Sequence, residues 1–192
     1  MKEIDRRTFL KYGLRAFGGV VISEALIPAK IAINEVTRQI TGKSTGNASY
    51  DSKLNSVCEN DPNPPKCKTD YQLSASNMIN GVLLAPLSEE VGFRANTAML
   101  LAIKENSPNG FTEVFTGTKE FKFSRRELLY GVVSSLIFGY VHNITDQGID
   151  LKTIPASHTF GGLFYWYLQR RFGIISNIFA HAWNNYRAYT WK

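Results

Sequence analysis

Apolar residues arrive in blocks along this chain rather than in alternation. A weakly apolar stretch runs from about Ala16 to Ile33, with Gly18, Gly19 and Glu24 inside it. Residues 35–75 are polar and read as a linker with little core. A long apolar block follows from Asn77 to Ile103, and its only charges are Glu89, Glu90 and Arg94. Residues 104–127 are loop-like, with Pro108-Asn109-Gly110 as a turn signal. Ser124-Arg125-Arg126-Glu127 has the form of a helix N-cap with its capping box, and predicts a helix from about Leu128 to His142. Asp146 to Pro155 reads as a turn region. Ala156 to Gln169 is apolar and aromatic, Arg170-Arg171-Phe172-Gly173 breaks it, and a last helix is expected from about Ile174 to Tyr189. Blocks of this length without a period of two are helical. The expected fold class is all-α.

At about 1.5 Å per residue, residues 77–103 would reach roughly 40 Å, whereas 128–142 reach about 22 Å and 174–189 about 24 Å. A hydrocarbon core needs about 30 Å, so the later helices are short for a span. Charge placement nevertheless favours a membrane. Lys119, Lys122, Arg125 and Arg126 precede one helix, and Arg170 and Arg171 separate the last two. With a cytoplasmic N-terminus and each block crossing, both clusters fall inside, in accord with the positive-inside rule. The loop closed by Cys58 and Cys67 then falls outside, where a disulfide would form.

Composition alone hides this pattern. The 192 residues are 44% apolar, with a formal charge of +6 and a mean hydropathy of −0.17. These values exclude a disordered chain and a disulfide-dense miniprotein. The basic residues bracket apolar helices instead of forming a stripe with stacking aromatics. Anionic lipids are therefore the expected partner, and nucleic acid is not. At the start, Arg6-Arg7-Thr8-Phe9-Leu10-Lys11 resembles a twin-arginine export signal. No clean cleavage site follows, so an uncleaved anchor is expected. The implied organisation is a signal or anchor helix over 1–34, a polar linker with the cysteine loop over 35–75, and a helical domain over 76–192.

The ionisable groups inside the apolar blocks carry the chemistry. Glu90 and Arg94 stand at i, i+4 and can pair along one helix face, which leaves Glu89 without a local partner. Two adjacent carboxylates in an apolar helix cannot both ionise cheaply, so one of them suits general acid–base work near neutral pH. Phe138 and His142 share a face by the same spacing, and so do His181 and Asn185. Converging in an apolar bundle, these groups could hold zinc through Glu89, His142 and His181. Alternatively, Glu89 could activate a water directly while His and Asn donate to an oxyanion. Ionisable residues in membrane helices mark functional sites by default. His158 reads as a helix-start residue, and Asn184 as facing away from the motif.

Taken together, Glu89-Glu90-x-x-x-Arg94, Phe138-x-x-x-His142 and His181-x-x-x-Asn185 resemble the three motifs of the CPBP family. These are the CAAX endopeptidases and bacteriocin-processing enzymes, also called Abi-type intramembrane proteases. The resemblance covers roughly residues 78–190. It implies a polytopic transmembrane bundle of about four core helices plus the N-terminal helix, and hydrolysis of a peptide bond in a peptide or protein substrate. It assigns water activation to Glu89, support to Glu90 and Arg94, and orientation of the water or base to His142. His181 and Asn185 would polarise the scissile carbonyl. A non-catalytic membrane binding or immunity scaffold of the same fold is the alternative.

Overall fold

The computed structural model describes residues 6–41, 56–118, 123–145, 148–149 and 155–190. Lys119, Lys122 and most of the turn expected over Asp146 to Pro155 lie outside them. The fold is a helical bundle. Helices α1 (Arg6–Ala25) and α2 (Ile27–Thr41) meet at a bend of 42°. Pro28 has no N–H to continue the ladder, and Leu26 N–H turns back to Ser23 O at 3.2 Å. The boundary expected at residue 34 falls inside α2. The polar linker also contains α3 (Pro64–Leu73), capped by Asn63, and Cys58 is disulfide-bonded to Cys67 beside it.

The long apolar block is one helical run, α4, over residues 75–104, but it is not uniform. It alternates Ala75–Met78, a π-helical Ile79–Leu84, Ala85–Glu89, a second π-helical Glu90–Ala95, and Asn96–Lys104. Pro86 accounts for the first π segment. Ala85 N–H reaches back five residues to Asn80 O, and Pro86 has no N–H to offer. Gly81 O is thereby left without a backbone donor. A short helix, α5 (Gly110–Thr116), interrupts the stretch expected to be a loop. Then come α6 (Arg125–Val141), a minimal hairpin of Ile144–Thr145 against Gly148–Ile149, α7 (Ala156–Phe172) and α8 (Ile174–Thr190). The Ser124–Glu127 capping box is present in both directions, at 2.7 and 3.1 Å. Gly173, at φ 85°, makes the tight α7–α8 turn, where an added Cβ would collide with Phe115 O.

Helices α6 and α7 pack backbone to backbone. Gly131, Ser135 and Gly139 stand at i, i+4 and i+8 on α6, against Trp166, Gly162 and Thr159 of α7. This is a small-residue seam of the kind that lets helices approach closely. A Cβ added at Gly131 would sit 2.4 Å from the Trp166 ring, which is itself buried. Gly131→Ala is therefore expected to cost about 1–3 kcal/mol by overpacking, read as a lowered unfolding midpoint in detergent. An unchanged midpoint would mean that the seam is looser than this.

The bundle keeps an apolar core, with Ala98, Leu101, Val114 and Trp166 in one cluster and Phe164, Tyr165, Leu168 and Ala180 in another, but on α6 and α4 the outward faces are apolar too. On α6, Leu128, Leu129, Val132, Val133, Leu136 and Ile137 are exposed, while Ser134, Ser135 and Glu127 are buried. On α4 the outward residues include Leu83, Leu84, Leu87 and Val91. Arg170, expected among surface cations, is buried and bonds Glu127 at 2.5 and 3.0 Å, joining the end of α7 to the start of α6. Among the described residues, no single helix is long and apolar enough to cross a membrane. The bent pair Leu10–Ala25 and Ile27–Ile40 is, taken together. Helix α1 lies along α8, with Gly19 against Ser176, and Glu24 accepting from Trp183 and from Arg187 Nη1 at 2.6 Å.

Candidate active site

The second π segment of α4 sets the two adjacent carboxylates in different surroundings. Glu90 and Arg94 are both fully buried, with Arg94 Nε 3.8 Å from Glu90 Oε2. Glu90 Oε2 also accepts from Asn177 Nδ2, and Glu90 Oε1 lies 2.7 Å from His181 Nδ1. The Arg94 guanidinium stacks over Phe138 at 4.6 Å. Glu90 is thus a buried anchor with its oxygens committed to α8.

Glu89 faces the other way, into a cavity of about 800 Å³ that it shares with His142, His158, His181, Tyr165 and Asn185. Its Oε2 is buried without a hydrogen-bond partner among the described residues. Two imidazole nitrogens approach that oxygen, His142 Nε2 at 3.6 Å and His181 Nε2 at 3.8 Å. Their tautomers follow from their other contacts. His142 Nδ1 lies 2.7 Å from Phe138 O, a carbonyl that can only accept, so Nδ1 carries the hydrogen. The His181 Nδ1–H is likewise held by the Glu90 carboxylate. Both rings therefore turn Nε2 toward Glu89. Aromatic contacts fix their planes: Phe138 lies edge-on to His181 at 5.9 Å, and Tyr165 stacks on His181 at 4.6 Å.

Asn185 completes the set differently from its expected part. Its Nδ2 donates to Gly81 O at 2.8 Å, the carbonyl orphaned by the π turn before Pro86. It ties α8 to α4 and lines the cavity. Asn184, expected to face away, also lines the cavity, and its Nδ2 donates to the Tyr165 hydroxyl. The seven motif residues, from α4, the C-terminal end of α6 and α8, are thus brought to one place.

Sequence reasoning missed three neighbours. Asn177 holds Glu90, and its i, i+4 spacing from His181 could have revealed it. His158, in the first turn of α7, stacks on His142 at 4.4 Å with the rings 18° apart. Lys30, from α2, lies 5.4 Å over the Tyr165 ring. Imidazoles that donate Nδ1–H to a carbonyl and a carboxylate are arranged as metal ligands commonly are. As they stand, Glu89, His142 and His181 are not drawn together as a ligand set, with both Nε2 atoms 3.6 and 3.8 Å from Glu89 Oε2, and no other such trio is drawn together among the described residues.

Comparison with known proteins extends this picture. Residues 71–187 match the family described as Rce1-like, type II CAAX prenyl endopeptidase. No curated protein and no solved structure matches the chain. The match spans more than half of the sequence, so the chain belongs to the Rce1-like family, within the CPBP proteins, a membrane-associated family of proteases acting on peptide or protein substrates.

Proposed function

We propose that this member of the Rce1-like family is an intramembrane endopeptidase in which Glu89 activates the hydrolytic water. The observation that carries the reading is the Glu89 Oε2 atom, buried and unpartnered among the described residues and faced by two imidazole Nε2 atoms. A water between Glu89 and His142 would give one hydrogen to the carboxylate and the other to His142 Nε2. Its oxygen would attack the scissile carbonyl as Glu89 takes the proton. His181, when doubly protonated, would donate Nε2–H to the oxyanion, with Glu90 as its counter-charge. Glu89 then returns the proton to the leaving amine, so that one water is consumed per bond. Arg94 and Asn177 hold Glu90, and Asn185 holds the α4 backbone.

The membrane reading draws on the outward α6 and α4 surfaces, whose contiguous exposed apolar residues suit lipid chains better than water. In the proposed arrangement 1–34 is a retained anchor with a twin-arginine-like start, 35–75 a connector, and 76–192 the protease domain. The N-terminus would be cytoplasmic and the cysteine loop outside. Zinc on Glu89, His142 and His181 is the second reading, favoured by the direction of both Nε2 atoms.

The test is to incubate the protein in lipid nanodiscs with random peptides of mixed sequence and to sequence the products by mass spectrometry. New termini in the parent sample, absent with Glu89→Gln, are the expected result. Products that survive Glu89→Gln would overturn the assignment, and a complete absence of products would favour the scaffold alternative. Suppression by 1,10-phenanthroline, restored by zinc, would establish the metal reading.

A further inference from the structure

The cavity has a second wall that the proposed hydrolysis does not use. Lys30 comes from α2, outside the residues matched by the family. Its amine rests against Gly161 of α7, where an added Cβ would lie 3.6 Å from Nζ. His158, Gly161 and Tyr165 stand at i, i+3 and i+7 on α7 and so share one face. The amine is therefore placed between the His158 ring and the Tyr165 ring. Its recorded interaction is with the Tyr165 face, and no carboxylate pairs with it among the described residues. On the same wall, His158 Nδ1 is buried with no hydrogen-bond partner among the described residues.

A half-buried cation with no carboxylate paired to it, beside a buried ring nitrogen with no hydrogen-bond partner among the described residues, is a pair that an anionic group would satisfy. They line the same cavity as Glu89. Tyr165 links the two walls, stacking on His181 on one side and carrying Lys30 on the other.

We propose that Lys30, with His158, forms a subsite that holds a carboxylate of the substrate in the cavity it shares with Glu89. The ammonium supplies the charge, and His158, in the tautomer that carries its hydrogen on Nδ1, a hydrogen bond. This inference rests on the peptidase reading of the cavity. It makes Lys30 a specificity-determining residue supplied by the N-terminal helices, so that those helices are a wall of the site rather than an address alone. The carboxylate has two possible sources, the free C-terminus of a peptide or an acidic side chain.

The experiment uses the full chain in nanodiscs with Glu89→Gln, so that binding is read without turnover. Three pools of dye-labelled random decapeptides are compared by fluorescence polarisation. One lacks Asp and Glu and ends in a free carboxylate. One lacks both and ends in a carboxamide. One ends in a carboxamide and carries a single Glu. At least tenfold tighter binding of the first or the third pool over the second is expected, and which of the two gains identifies the source. Adding Lys30→Met should erase the difference, and Lys30→Arg should keep most of it. Equal binding of all three pools, which needs no substitution at Lys30, overturns the subsite. So does an equal loss for every pool on Lys30→Met. Parent protein that discriminates the pools but cleaves none of them would sink the peptidase reading and leave the subsite standing. Cleavage without discrimination would do the reverse.

Discussion

Replacing Glu89 by Gln is expected to lower turnover by about a thousandfold, within the range that a positioned general base contributes. The amide keeps the shape of the side chain but cannot take the proton from water. Because Glu89 Oε2 makes no hydrogen bond among the described residues, the fold should be little changed. Far-UV circular dichroism and the melting midpoint would check this. Removing His142 or His181 should cost about a hundredfold each through lost orientation or oxyanion donation. Combined with Glu89→Gln, these losses should fail to add, as happens when residues act as one unit. Full turnover by Glu89→Gln on a peptide that the parent cleaves would end the assignment.

The second large effect is on stability. Arg94→Met removes the only guanidinium beside Glu90 recorded among the described residues, at 3.8 Å, in a place where both side chains are fully buried. The carboxylate would then rest on Asn177 and His181 alone. Breaking a buried pair in this way typically costs about 3–5 kcal/mol, because one charge is left uncompensated. The Arg94 nitrogens make no hydrogen bonds among the described residues, so the arginine acts by charge and by stacking on Phe138. The double variant Glu90→Gln, Arg94→Met should therefore regain more than half of the loss, since it removes both charges together. Chemical denaturation in a mild detergent measures both. A single variant within 1 kcal/mol of the parent, roughly the worth of an exposed pair, would show that Glu90 is not held by charge.

Local signals were readable in the sequence, and long-range ones were not. The Ser124–Glu127 capping box and the break at Gly173 are short-range chemistry, and each stands within a residue or two of its expected place. The different surroundings of Glu89 and Glu90 followed from a single i, i+4 spacing to Arg94. The π segments of α4 could not be read, because a period of 3.6 assumes one helical geometry throughout; only Pro86 hinted at the first. His158 and Lys30 reach the cavity from segments whose local sequence gives no sign of each other. The polar linker hid α3, whose ten residues bury none of their side chains and so leave no apolar stripe to detect. The apolar outer faces of α4 and α6 do not show in the mean hydropathy for a physical reason. Ser134, Ser135, Glu127 and Arg170 are polar residues placed inside the bundle, and they lower the average.

The π-helical turn over Glu90–Ala95 holds one residue more than the α-helical turn it replaces. Loss of any single residue from it would leave a plausible, uninterrupted α-helix. The helix beyond it would keep nearly its present phase, but a loss between Glu90 and Arg94 would re-space that pair to i, i+3 within the turn. Arg94 or Glu90 would then swing out of register with α8, with no loop nearby to absorb the change. For anyone comparing or engineering such chains, a one-residue gap inside an apolar helix is usually dismissed as noise. Here it would be the difference between an assembled centre and a dismantled one.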